Sequence, residues 1–179
     1  MSEPSKFDQP PAIIALANGQ QVSVRPVLPR DAAKLQTFVK NLSALSRNQR
    51  FLHALSQLSA SVLESLTGID YATHFALVAE VVRDKAASLI AEARYVISPQ
   101  GDSAELAVAV ADDWQGLGLA KALLSRLWAR AAAAGVKRLT GEALASNDRL
   151  LDLARKAGFS IRPVPGSANL VALEKSLVL

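Results

Sequence analysis

The stretch from Ala104 to Ala145 constrains the fold more than any other. It opens with Ala104–Ala111, apolar throughout except for Glu105, passes through a glycine-bearing loop, runs as a helix from about Leu117 to Ala134 and stops at Gly135, and then resumes strand character over Arg138–Ala145. A short apolar run bounded by turn residues reads as a strand covered on both faces. Strand, helix and strand in that order favour a right-handed crossover joining two parallel strands. The chain is therefore expected to build an α/β fold. The carboxyl end of the first strand, beside the amino end of the crossover helix, is then the natural place for a ligand.

Other elements can be read around this unit. Residues 1–11, with Pro4, Pro10 and Pro11, read as a flexible arm. Asn18-Gly19 suits the positive φ angles of a tight hairpin turn between two short strands within Ile13–Val27. Asp31 is placed to cap a helix reaching about Leu42, with Ala33, Leu35 and Phe38 buried. Ser43–Arg50 reads as a polar connection, and Ser61 with Glu64 has capping-box spacing for a second helix that ends near Gly68. His74–Val82 and Ala86–Ile97 read as an antiparallel strand pair. A last helix spans Asp148–Ala157 and stops at Gly158, followed by strands near Phe159–Arg162 and Asn169–Glu174. Residues 1–20 are expected to form an arm and the start of a hairpin, and 21–179 a single domain of mixed α/β class.

Composition narrows the chemistry. With no cysteine and only His53 and His74 as histidines, disulfides and thiolate metal sites are excluded, and no metal is expected. The net charge of +4 could suit nucleic acid, but aromatic residues make up 5% of the chain and leave few stacking platforms, so no nucleic acid partner is expected. Basic residues recur between Lys121 and Arg162, a surface suited to a phosphorylated small molecule. The first ten residues are not basic-then-apolar, and no run approaches the roughly 18 apolar residues of a membrane span. No membrane partner and a cytoplasmic location are the expectation.

The loop Asp112-Asp113-Trp114-Gln115-Gly116-Leu117-Gly118-Leu119-Ala120-Lys121 carries the most chemical information. Its glycines let backbone approach a ligand, and free N–H groups in the first helical turn attract phosphate oxygens. A plain structural turn fits the same residues. Glu105 is the lone charge in an apolar strand, so it is either salt-bridged to a neighbour or functionally placed. Glu105, Ala107, Ala109 and Ala111 share one face, and their small side chains leave room for something lying against them or for close helix packing. Asn147 sits where a helix cap would. His53 and His74 read as structural, and Asp70 and Tyr71 either line a site or pack a loop.

Gln115, Gly118 and Ala120 match the Gln/Arg-x-x-G-x-G/A pyrophosphate loop of the GNAT acyltransferases, and Asn147 with Gly158-Phe159 falls where that family has an asparagine and a Gly-Phe pair. The resemblance covers about residues 21–175. Val24-Arg25-Pro26, Leu42-Ser43-x-x-Ser46-Arg47 with Arg50-Phe51, Ile69-Asp70-Tyr71 and Ala104-Glu105-Leu106-Ala107 are similar to the acetyltransferase domain of bacterial Pat-type protein lysine acetyltransferases.

The resemblance implies a GNAT fold with a central mixed sheet. It implies acetyl-CoA as acyl donor and an amine acceptor, either a small molecule or a protein lysine. Backbone at Val108 and Val110 is implied to meet the pantetheine arm, Gln115, Gly116, Leu117, Gly118, Leu119, Ala120 and Lys121 the pyrophosphate, and Asn147 the pantetheine. Glu105, the lone charge of its strand, is the candidate general base, with partial burial expected to raise its carboxyl towards that task. A base is needed because an amine of pKa about 10.4 is neutral in only about one molecule in 2,500 at pH 7. A strand N–H near Leu106–Val108 would meet the developing oxyanion. The family's tyrosine acid is missing, since its position is Ala154. That departure keeps a non-catalytic acyl-CoA-binding sensor in play beside the enzyme, and a homodimer also stays open.

Overall fold

The computed structural model describes residues 10–83 and 85–177. The expected arm over residues 1–9 and Asp84 of the strand-connecting turn lie outside these. The elements are β1 (Ala12–Ala15), β2 (Gln21–Pro26), α1 (Ala32–Asn41), α2 (Ala44–Phe51), α3 (Ala60–Thr67), β3 (His74–Arg83), β4 (Ala86–Ile97), β5 (Ser103–Val110), α4 (Leu119–Ala133), β6 (Arg138–Leu144), α5 (Asp148–Lys156), β7 (Ser160–Pro163) and β8 (Leu170–Ser176). The strands form one sheet in the order β1-β2-β3-β4-β5-β6-β8-β7. Within it β5 and β6 are parallel, as the strand-helix-strand order requires, and the neighbouring pairs are antiparallel. This is a mixed α/β fold.

Helix α4 covers one face of the sheet. Its buried residues Leu119, Leu123, Leu124, Leu127 and Ala131 recur at three- and four-residue spacing, one stripe of the helix. They pack on Phe75, Ala93, Tyr95 and Ala104. Leu123 and Leu127 are fully buried, each contributing about 1.5–3 kcal/mol. The helix ends where Gly135 takes φ 85°, which lets the Val136 N–H reach back to the Ala131 carbonyl at 3.1 Å. On the opposite face, Leu35, Phe38 and Val39 of α1 pack with Val27, Ala76, Val78 and Leu89. Helix α5 packs Leu151 and Ala154 on Ala143 and Leu173.

Several local expectations change. Ser43–Arg50 is not a connection: Ser43 caps helix α2 by accepting the Ser46 N–H at 3.1 Å. Polarity hid this helix, since only Ser46 within it is buried. The cap of α3 is Ser59 and not Ser61, because the Ser59 hydroxyl accepts the Val62 N–H. Asp31 precedes α1 but makes no cap bond to it. Its carboxylate takes a two-pronged bond from Arg25 at 2.7 and 2.9 Å and the Leu28 N–H at 2.8 Å. Burial pushes this carboxyl up, but those donors outweigh burial and hold it below its ordinary value. Ala33 is exposed, and Val39 joins Leu35 and Phe38 in the core.

Candidate active site

The site begins where two strands part. β5 and β6 pair through Ser103 with Arg138, Ala104 with Leu139 and Glu105 with Thr140, and pair no further. At the point of divergence stands Gly141, where a Cβ would lie 3.3 Å from the Leu106 carbonyl. Beyond it the β6-facing edge of β5 has no strand partner. A cavity of about 260 Å³ opens there, walled by Leu106, Ala107 and Val108 of β5, Leu124 and Trp128 of α4, Leu153 and Ala154 of α5, and Gln49–Leu52. The strand is consequently not covered on both faces, and Ala107, Val108 and Val110 are only half-buried.

At the far end of β5 the chain makes a 3-10 turn, Asp112–Trp114, anchored by the buried Trp114. Gly116 and Gly118 follow with φ 77° and 89°, a region that favours glycine. Gly118 is the N-cap of α4 and supplies no side-chain cap. The first-turn N–H groups at Leu119, Ala120 and Lys121 are thus left for an external anion, favoured by the helix dipole. The helix starts two residues later than the sequence suggests. A Cβ on Gly118 would meet nothing within 4 Å, so Gly118→Ala acts through conformation alone. We expect a strain of about 1 kcal/mol, which weakens anion binding at this turn by about fivefold with a small change in melting temperature, read by calorimetry and thermal unfolding.

Two residues expected to contact a cofactor have side chains engaged within the fold. The Gln115 amide nitrogen donates to the Val110 carbonyl at 3.0 Å and to the Ser46 hydroxyl at 3.1 Å, while its oxygen accepts from Arg149 at 2.8 Å. It therefore joins β5, α2 and α5 across the mouth of the cleft and occupies the Val110 carbonyl. Asp112 accepts from the Ser43 N–H and from the hydroxyls of Ser43 and Ser46. Burial raises this carboxyl and the serine bonds lower it further than that, to below its usual value. Asn147 is buried and its side-chain oxygen accepts the Leu150 N–H at 3.3 Å, the bond of a helix cap. Asn147→Ala is expected to destabilise the protein by about 1 kcal/mol, measured by denaturant unfolding.

Glu105 lies at the closed end of the cleft and is exposed. The expectation of partial burial is not met, because the face of β6 and β8 beside Glu105 also carries the exposed Glu142 and Glu174. Glu105 has no ion pair among the described residues, so the salt-bridge alternative falls too.

Residues 47–159 match the acetyltransferase (GNAT) family. The chain belongs to that family. It is 32% identical over 145 residues to an acetyltransferase of Pseudomonas aeruginosa, covering 81% of this chain and 78% of that protein. It is 29% identical over 149 residues to the acetyltransferase Pat of Mycolicibacterium smegmatis, covering 83% of this chain and 44% of Pat, and so spans less than half of that relative. Its fold is similar to the GNAT domain of S. lividans PAT, with a TM-score of 0.83, 29% identity and coverage of 98% and 100% of the two chains. A cAMP-binding acyltransferase from Mycobacterium smegmatis superposes with a TM-score of 0.65 at 26% identity over 94% of this chain and 48% of that one.

In this GNAT domain Ala154 is buried on the cleft wall. The flanking residues singled out in the sequence have structural tasks. Asp70 accepts the N–H groups of Ala72, Thr73 and His74 and the Thr73 hydroxyl, and these bonds, led by the hydroxyl, bring its carboxyl down to about 2. Tyr71 donates its hydroxyl to the Val27 carbonyl at 2.9 Å. His53 is exposed, and its Nδ1 sits 2.7 Å from the Phe51 carbonyl. The His74 Nε2 accepts from Arg94 at 2.8 Å, and burial pulls its pKa down, so it is neutral. No group of three or more potential metal-binding side chains occurs among the described residues.

Sequence reasoning missed an ion cluster beneath α2. Glu92 and Arg94, both buried on β4, bind each other, and Arg50 of α2 donates to Glu92 at 3.2 Å. The signal was present: opposite charges two residues apart in an otherwise apolar strand lie on one face and can pair.

Proposed function

We propose that this GNAT domain transfers an acetyl group from acetyl-CoA to a primary amine, a protein lysine in preference to a small molecule, by direct attack with Glu105 as general base. The observation that carries the reading is the cleft made by the divergence of β5 and β6, with an anion-suited loop at one end and an unpaired carboxylate at the other. The residues present fit the donor. The first turn of α4, Gly116–Lys121, suits its pyrophosphate; the unpaired edge of β5 at Val108 suits the amide-bearing pantetheine arm; the apolar walls suit its methylenes.

The chemistry then divides among residues of this chain. Glu105 takes a proton from the ammonium group, directly or through water, so that the nitrogen lone pair can attack the thioester carbonyl. A C–N bond forms, the C–S bond breaks, the nitrogen sheds its second proton to water, and the departing thiolate takes one proton back from water to leave as the thiol. A backbone N–H on β5 near Leu106–Val108 is suited to meet the developing oxyanion, worth about 10²–10³ in rate. The exposed sheet face around Glu105 supports a protein acceptor, because a lysine side chain on another protein needs an open slot. So does the resemblance to Pat-type lysine acetyltransferases.

The test is thiol release from acetyl-CoA across lysine peptides, candidate proteins, polyamines and amino acids, with the natural protein beside Glu105→Gln. Turnover on lysine substrates that collapses in the variant is the expected result. Turnover confined to polyamines or amino acids would replace the acceptor class, and acetyl-CoA binding without transfer to any acceptor would make the domain a sensor.

A further inference from the structure

Arg50 faces the cleft in a way the reaction just described does not use. It belongs to the run Ser43-Ala44-Leu45-Ser46-Arg47-Asn48-Gln49-Arg50-Phe51, in which the two serines and Arg47 are occupied. Ser43 and Ser46 bind Asp112, and Arg47 donates to the carbonyls of Leu55, Lys40 and Leu42. The Arg50 side chain is 11% exposed, is held to Glu92 through Nε at 3.2 Å and packs over the Phe51 ring at 4.8 Å. It lines the same cavity as Glu105. Neither of its terminal nitrogens has a hydrogen-bond partner among the described residues.

The charge beneath it does not balance. Arg94 shares the Glu92 carboxylate, donates to His74 and to the Leu66 carbonyl, and keeps one terminal nitrogen buried without a partner. Two guanidinium groups thus stand against one carboxylate, and neutral His74 adds no charge. A cation held largely out of water is unfavourable until an anion joins it. The free edge of Arg50 is a flat fork of N–H donors, the shape that matches a carboxylate.

We propose that Arg50 binds a carboxylate carried by the acceptor, so that the preferred substrate is a lysine with an aspartate or glutamate beside it. This rests on the acyl-transfer reading above and adds what the acceptor must contain. The cleft then sorts the two charges of its substrate: the ammonium group goes to Glu105 and the neighbouring carboxylate to Arg50. Removing Arg50 leaves Glu92 paired one-to-one with Arg94, so the fold is expected to tolerate the change.

The test uses the full chain, acetyl-CoA and three peptides that differ only in the residue beside one lysine: glutamate, glutamine or lysine. The natural protein is expected to favour the glutamate peptide over the glutamine peptide by about 10- to 100-fold in kcat/KM, the range of a charged hydrogen-bonded pair. Arg50→Gln should bring that ratio close to one, chiefly by raising KM for the glutamate peptide, and Arg50→Lys should retain part of it. Equal rates on the three peptides with the natural protein would overturn the inference. So would a uniform drop in kcat in Arg50→Gln, which would put Arg50 at the thioester, or a fall in melting temperature of about 10 °C or more, which would make it structural. Calorimetric binding of the same peptides in the presence of CoA reads the preference without turnover. An Arg50-dependent binding preference with no thiol release would sink the transfer reading alone.

Discussion

Glu105→Gln is expected to lower kcat by about 10²- to 10⁴-fold, the usual contribution of a positioned general base. The substitution keeps size and polarity and removes only the ability to take a proton. Because Glu105 is exposed and has no ion pair among the described residues, unfolding stability should move by no more than about 0.5 kcal/mol. A large kinetic loss beside an unchanged melting temperature separates a catalytic role from a structural one. Affinity for acetyl-CoA should persist, since the loop of Gly116–Lys121 lies at the other end of β5. The residual activity should still climb with pH, because the neutral fraction of a lysine rises about tenfold per unit below its pKa of about 10.4. A variant within about threefold of the natural rate would mean that the amine loses its proton by another route, through water or a residue on the acceptor protein.

Much of this fold was legible because the backbone signals were local. The apolar run Ala104–Ala111, the Gly-bearing loop and the stop at Gly135 each follow from residue chemistry, and together they dictate a parallel pair. Gly19, with φ 82°, turns the first hairpin, while Asn18 does not share its positive φ and the connection from Ala15 to Gln21 is longer than a two-residue turn. What escaped depended on contacts between distant residues. Helix α2 is polar because its partners are polar: Ser43 and Ser46 answer Asp112, 69 and 66 residues away. Gln115 looked like a ligand for the cofactor, but its amide is consumed by Ser46, Val110 and Arg149. The short motif does not reveal that the glutamine side chain braces β5, α2 and α5. Glu105 stood out for a mistaken reason, as a supposed buried charge. The carboxylate that is buried is Glu92, and its neutralising arginines come from α2 and from its own strand.

Glu92 is also where the largest loss of stability is expected. Burial pushes its carboxyl up, but the charges and bonds of Arg50 and Arg94 outweigh burial and hold it below the ordinary carboxylate value. A carboxyl depressed in the folded state adds stability that is present above its unfolded pKa, about 4.3, and is lost as pH falls through the lower folded value. Glu92→Ala removes the shared counter-charge and leaves two guanidinium groups facing each other under α2. The expected cost is about 3–5 kcal/mol, the range for breaking a buried ion pair from one side, or a fall in melting temperature of about 10 °C or more for a domain of this size. The variant should lose the Glu92 share of the acid sensitivity below about pH 4.3, while Asp31, Asp70 and Asp112 keep theirs. Replacing Glu92 and Arg94 together by leucine takes away both buried charges and fills the space, so the double variant should recover most of the loss. Chemical denaturation of the single and double variants gives the coupling energy directly. If Glu92→Ala costs less than about 1 kcal/mol, the pair is solvated and the positive edge assigned to Arg50 is screened as well, so this measurement bears on acceptor recognition as much as on the fold.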